Sequence, residues 1–316
     1  MAAMVDTFLR INPMDLSNTC IKKDSLKDEV AVVTGSTSNV GLGYVRAIAW
    51  AGGKVVISGR NEKAGIEAER VINAENAPGT ALFVKCDVTK ESDVKNLAKS
   101  AYDKFGKVDI LINNAMDMNL DGSVLESSAD SLTQSFAISG LGTIHTIHEF
   151  VPEMIKRKHG IVMYSTTQFH YHPPMIGRAI YCAGKSVATS ITMSLANEVG
   201  PYKDSGIGVF CMIPAGVGIP GTHTNRDNVV PQDGPKFGAP GFDGPIPPEA
   251  NGAAMVYCIL NAEKLHGSGI SCFEAFAAMN FPYPKPETVT KTPPMRRLTD
   301  NELTLVFKNM GPGFEG

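Results

Sequence analysis

The spacing of apolar positions changes several times along the chain, and each change marks an element. Residues 1–27 are polar and irregular, with Pro13 and a Lys22–Lys23 pair, and read as an arm ahead of the fold. From Val30 to Val33 the run is continuously apolar, as in a strand buried on both faces of a parallel sheet. A glycine-bearing turn follows, then a helix with Val45, Ile48 and Ala49 on its inner side. Lys54 to Ser58 reads as a second strand, and Ala64, Ala68, Val71 and Ile72 give the next helical stripe. Ala81 to Cys86 reads as strand three. Val94, Leu97, Ala98, Ala101, Tyr102 and Phe105 then recur at the helical period. Val108 to Ile112, Gly160 to Tyr164 and Ile207 to Ile213 read as strands four, five and six. A helix is expected after Pro248–Glu249, running to about Leu260, and a last strand over Gly269 to Glu274. Strands alternating with helices at short intervals predict an α/β fold, a doubly wound parallel sheet, in a single domain. That domain is expected over residues 28–279, with a glycine- and proline-rich loop at 218–247 and a proline-bearing tail at 280–316.

Composition narrows the classes. The chain has 316 residues, 43% hydrophobic and 19% charged, the balance of a soluble globular protein. A net charge of −3 gives no basic surface for nucleic acid. Neither a secretory leader nor an apolar run long enough to span a bilayer is expected. Six scattered cysteines without a C-x-x-C read as reduced thiols of a cytoplasmic protein, with no metal site.

The chemistry-bearing stretches fall at the ends of these strands. Strand one runs into Thr34-Gly35-Ser36-Thr37-Ser38-Asn39-Val40-Gly41-Leu42-Gly43. Strand, small-residue turn and helix form a dinucleotide cradle, in which backbone N–H groups at the helix start face a pyrophosphate. The competing reading is a plain strand-to-helix turn. Strand two ends on Gly59-Arg60. A carboxylate here would accept from a ribose 2′-hydroxyl, whereas glycine beside arginine leaves room for a 2′-phosphate and supplies a bidentate partner. NADP(H) rather than NAD(H) is therefore expected; the competing reading of Arg60 is a solvated cation. Asp87, after strand three, can bond an adenine amino group. Tyr181 and Lys185 lie one helical turn apart. An ammonium there lowers a phenol from its usual pKa of about 10, making it a proton donor near neutrality.

Taken together, these motifs resemble the short-chain dehydrogenase/reductase family. The matching pieces are TGSTSNVG at 34–41, DV at 87–88, NNA at 113–115, YCAGK at 181–185 and PAGV at 214–217, in the family's order over about residues 28–275. The resemblance implies a Rossmann fold and hydride exchange between a nicotinamide cofactor and a ketone or secondary alcohol. It assigns Tyr181 as the proton donor and Lys185 as the group that lowers its pKa and holds the nicotinamide ribose. It puts Gly35, Thr37, Ser38, Asn39, Val40, Gly41, Arg60, Asp87, Val88, Asn114, Ala115 and Val217 along the cofactor. The catalytic hydroxyl after strand five falls on Thr166, with Ser165 and Thr167 as alternatives. The family's catalytic asparagine falls on Ser139.

Four departures stand out, the first being Thr166 where the family carries a serine. The middle turn glycine is Asn39, a residue that tolerates positive φ. The glycine that usually ends NNAG is Met116, whose side chain is expected to reshape the nicotinamide or substrate pocket. Ser139 places the proton relay in question. Phe169, Tyr171, Met175, Met116, Phe237 and Phe242 point to a bulky apolar, steroid-like substrate, as in hydroxysteroid dehydrogenases. His145 and His148, three residues apart on a helix, read as core or interface rather than metal ligands. His170 and His172 read either as the substrate mouth or as solvated. Val187, Ile191, Leu195 and Val199 recur every four residues on the Tyr181 helix, and the resemblance implies a homodimer or homotetramer. The second functional class is a cofactor-binding subunit with weak or no catalysis, acting as a partner.

Overall fold

The computed structural model describes residues 14–17, 19–117, 120, 124–167, 178–215 and 248–279. Seven strands form one parallel sheet: β1 (Val30–Val33), β2 (Lys54–Gly59), β3 (Ala81–Lys85), β4 (Ile110–Asn113), β5 (Gly160–Ser165), β6 (Ile207–Ile213) and β7 (Gly269–Ser271). Their spatial order is β3-β2-β1-β4-β5-β6-β7. The order reverses between β1 and β4, and that switch point is where open α/β sheets bind ligands, beyond the strands' carboxyl ends.

Alternate residues of each strand feed two cores. Ala31, Val33, Val55, Ile57, Ile110 and Ile112 face the layer of α1 (Asn39–Trp50) and α8 (Pro248–Leu260). Val30, Val32, Val56 and Leu111 face α3 (Glu91–Phe105) and α5 (Gly142–Arg157). Because both faces are covered, these strands carry continuous apolar runs instead of alternation. The remaining helices are α2 (Glu62–Glu75), α4 (Ala129–Phe136), α6 (Ala179–Glu198), α7 (Tyr202–Ser205), α9 (Ala262–Leu265) and α10 (Cys272–Ala278).

α1 and α8 touch backbone to backbone. A Cβ on Gly43 would stand 2.1 Å from the Pro248 carbonyl oxygen, and one on Gly252 would stand 2.2 Å from that of Gly43. Beside this contact Arg46, 1% exposed, pairs with Glu75 at 2.9 Å and Glu249 at 2.5 Å, tying α1 to α2 and α8. The segment before β1 packs on the same chain, since Met14, Leu16, Ile21 and Leu26 are buried in the first core.

Local chemistry trims some expected strands. Val108 and Asp109 precede β4: the Asp109 carboxylate accepts from Val30 N–H and pairs with Lys107 and Arg157. Burial works to raise the Asp109 carboxyl, but those three partners outweigh it and hold it below the ordinary value. Glu29, Asp109 and His159 bring ligating atoms within 4.8 Å of one another, but two cations already neutralise Asp109, so the cluster is an ion-pair network. The last strand stops at Ser271, not Glu274. Ser271 caps α10, its hydroxyl accepting from Glu274 N–H while the Glu274 carboxylate accepts from Ser271 N–H, and this box turns the chain into a helix.

Candidate active site

The glycine turn joins β1 to α1 under tight steric limits. Gly35 has φ +63° and sits so close to β4 that a Cβ would lie 2.7 Å from Ala115 Cα. A Cβ on Gly41 would lie 2.4 Å from the Gly35 carbonyl oxygen. Asn39, at the first position of α1, adopts φ +49°, the left-handed conformation expected of asparagine there. Ser38 is the N-cap, but its side chain makes no capping hydrogen bond, and no acidic residue stands in the first turn. The helix start thus presents N–H groups without a side-chain acceptor, over a cradle that any Cβ would fill. This donor set fits a pyrophosphate. Val40 packs against the core behind the turn, and Thr37 is buried beside Gly59, where a Cβ would meet Thr37 Cγ2 at 2.9 Å.

β4 is stitched to this turn. The Thr34 hydroxyl oxygen accepts from the N–H groups of Asn114 (3.0 Å) and Ala115 (3.1 Å). Asn114 Nδ2 donates to the carbonyls of Thr34 and Gly35, both at 3.1 Å. Arg60, at the end of β2, is 56% exposed and pairs with Asp117 at 3.0 Å. Asp87 lies half-buried beyond β3, one carboxylate oxygen accepting from Thr89 N–H and hydroxyl. Val88 is buried against Gly142, and its carbonyl lies 3.0 Å from His145 Nδ1, which gives that histidine a packing partner.

Between α4 and α5 the helix widens into a π-turn, Ala137–Leu141, with Ser139 buried at its centre. The π-turn packs on α6. A Cβ at Gly184, the residue before Lys185, would stand 2.2 Å from Ser135 Oγ and 3.2 Å from Ser139 Oγ. Ser135 Oγ donates to the Ile180 carbonyl at 3.0 Å and so secures the first turn of α6. Ser139 Oγ in turn donates to the Met116 sulfur at 3.4 Å. Two of the departures from the family pattern are therefore in contact.

Lys185 is 4% exposed. Its ammonium donates to the Ser165 carbonyl and lies 5.9 Å from the Tyr181 ring centroid and 4.9 Å from that of Tyr164. Burial pushes Lys185 down to about 7. Burial also raises the Tyr164 phenol well above its ordinary value, which keeps it protonated. Arg178 Cζ stands 6.0 Å from the Tyr181 ring centroid. Of the three candidate hydroxyls, Ser165 faces Tyr44 on the other side of the sheet at 3.3 Å. Thr166 faces α6 and is buried, 2.6 Å from Thr189 Oγ1. Thr167 is also buried. Lys185 and the Tyr181 ring thus lie together on α6, Gly184 between them packs against Ser139, and Thr166 meets the same helix further along, at Thr189. Val217, His170, His172 and the aromatic residues at 169, 171, 237 and 242 lie outside the described residues, as does Met175. Ser135, Tyr164 and Thr189 carry no motif in the sequence, and packing alone brings them here.

One consequence follows for the unliganded chain. Lys185 is near 10.4 when unfolded and about 7 when folded. Across that window the unfolded chain binds more protons, so this group's stability contribution improves as pH rises. Lys185→Met is expected to be the more stable protein at about pH 7, with the gap in Tm to wild type narrowing toward about pH 10. Thermal melts at several pH values check this; a gap that stays constant contradicts it.

A doubly wound parallel sheet with a glycine turn at its switch point and a tyrosine–lysine turn beside it defines a nicotinamide-dependent oxidoreductase. The short chain dehydrogenase family matches residues 29–229, and the chain belongs to that family. It is accordingly an NAD(P)-dependent oxidoreductase acting on CH–OH groups. Among relatives, short chain aldehyde dehydrogenase 1 of Euphorbia lathyris is 30% identical over 208 residues, 64% of this chain and 70% of that protein. A putative beta-ketoacyl-ACP reductase of known structure is 27% identical with a TM-score of 0.65, covering 78% of this chain and 97% of its own. A short chain dehydrogenase/reductase from Burkholderia phymatum in complex with NAD has a TM-score of 0.63 at 24% identity, covering 80% of this chain and 92% of its own, and shares the fold. No helix among the described residues is long and apolar enough to cross a membrane.

Proposed function

We propose that the protein interconverts a ketone and a secondary alcohol with NADP(H), acting on a bulky apolar, steroid-like substrate. The observation that carries the reading is Lys185, buried with its ammonium 5.9 Å from the Tyr181 ring, one turn along the same helix. Gly35, Thr37, Ser38, Asn39, Val40 and Gly41 would hold the pyrophosphate, and Arg60 the 2′-phosphate. Asp87 and Val88 would hold the adenine, and Asn114 and Ala115 the adenosine ribose side. Tyr181, Lys185 and Val217 would border the nicotinamide end. When bound, the reduced nicotinamide supplies a hydride to the carbonyl carbon. Tyr181 gives its phenol proton to the substrate oxygen, which leaves an alcohol and a phenolate. The Lys185 ammonium favours that phenolate and so lowers the cost of proton release. Thr166 would fix the substrate oxygen by a hydrogen bond, and Ser139 would stand in for the relay asparagine that returns the proton. The reverse order oxidises the alcohol.

The apolar substrate is supported by Met116 at the site and by the aromatic residues that the sequence places at 169, 171, 237 and 242. Self-association is supported by exposed Phe136, Leu141 and Ile155 on α4, the π-turn and α5. Six free thiols accord with a cytoplasmic setting. One contact favours the second reading, a cofactor-binding partner with little catalysis: the Ser139 hydroxyl donates to the Met116 sulfur and so is turned away from a relay. Incubating the protein with NADPH and a panel of ketones, steroids included, separates the two. Loss of reduced-nicotinamide absorbance with a bulky ketone is expected. Tight NADPH binding with no oxidation across the panel would favour the partner role.

A further inference from the structure

The hydrogen-bond directions around Thr166 can be worked out from its neighbour on α6. Thr189 Oγ1 lies 2.8 Å from the Lys185 carbonyl oxygen and 2.6 Å from Thr166 Oγ1. A carbonyl oxygen accepts and never donates, so the single Thr189 proton goes to Lys185. The Thr166 proton must then go to Thr189. Thr166 is left with its lone pairs alone, set to accept from an alcohol and not to donate. To donate to a carbonyl oxygen it needs its proton back.

We propose that Thr189 is a positioning residue that sets the direction of the Thr166 hydroxyl. Rotation of the Thr189 hydroxyl away from Lys185 toward Thr166 releases the Thr166 proton for a substrate carbonyl. The rotation strands nothing, because the Lys185 carbonyl lies mid-helix, where the backbone ladder supplies it with an N–H. Two hydroxyls in series thus let one threonine serve both alcohol and ketone, and tie its orientation to the turn that carries Lys185. The inference rests on the reading of Thr166 as the catalytic hydroxyl.

The test is a double-mutant cycle with NADPH and whichever ketone turns over fastest in the panel above. Thr189→Val keeps the shape and deletes the hydroxyl. It is expected to lower kcat about fivefold, the scale of one hydrogen bond, with NADPH affinity and Tm near wild type. Thr189→Ser is expected to restore the rate. Thr166→Val with Thr189→Val is expected to be no slower than Thr166→Val alone, because Thr189 acts through Thr166. If Thr166→Val is slow while Thr189→Val matches wild type, or if the two losses multiply, the positioning role is overturned and the Thr166 reading survives. If Thr166→Val itself matches wild type, the Thr166 reading falls and the positioning role falls with it.

Discussion

Replacing Tyr181 by phenylalanine is expected to lower turnover by about 10³-fold, within the span that positioned acid–base groups contribute. The change removes one hydroxyl and leaves the ring, which packs beside Arg178 and Lys185. The phenol is the proton donor to the substrate oxygen in the proposed mechanism. Tyr164 is closer to the ammonium, at 4.9 Å from its ring centroid, but burial holds its phenol protonated and it is 1% exposed. NADPH should still bind to Tyr181→Phe, because the glycine turn, Arg60 and Lys185 are untouched. Steady-state rates with a titration of nicotinamide fluorescence check both halves. Near-normal turnover would remove Tyr181 from the mechanism, and lost NADPH binding would make its role structural.

Arg60→Ala is expected to weaken NADPH binding about tenfold to a hundredfold while leaving NADH binding nearly unchanged. That range is what one to two charge-assisted hydrogen bonds to a phosphate contribute. Arg60 is 56% exposed, and its pairing with Asp117 at 3.0 Å is a surface ion pair of small worth, which a dianionic phosphate can outcompete. Beside it, a Cβ at Gly59 would stand 2.9 Å from Thr37 Cγ2, so that position is held to glycine. Asp117→Asn should tighten NADPH binding, because it removes the competing carboxylate. Calorimetric titration of the variants with both cofactors decides it; equal losses for NADPH and NADH from Arg60→Ala would mean that Arg60 reads no phosphate.

Much of the fold was legible because burial on both faces writes itself into composition. Val30 to Val33 and Ile207 to Ile213 are unbroken apolar runs, and both strands have those bounds in the structure. α8 starts two residues earlier than expected, on Pro248, because proline is tolerated at a first helical position. Legibility failed where a few hydrogen bonds override an apolar pattern. Gly269 to Ser271 continues into residues apolar enough for a strand, but the Ser271–Glu274 box starts a helix instead.

At the site, spacing alone marked Tyr181 and Lys185, since four residues always make one helical turn. Met116 and Ser139 were each conspicuous as departures, yet their contact depends on how β4 and the π-turn pack, across 23 residues of sequence. The pairing of Arg60 with Asp117 spans 57 residues and was equally invisible. Thr189 had no motif to announce it. Its place is set by Thr166, which reaches α6 because side chains alternate along β5 and send Ser165 to the opposite face.

The central claim is that Lys185 makes the Tyr181 phenol acidic at the nicotinamide end of the cleft. Ultraviolet difference titration of tyrosinate, with NADP⁺ at saturation, compares wild type with Tyr181→Phe. One phenol ionising well below the ordinary value of about 10, present in wild type and missing from the variant, is the expected result. A wild-type curve in which that phenol ionises at or above the ordinary value would contradict it.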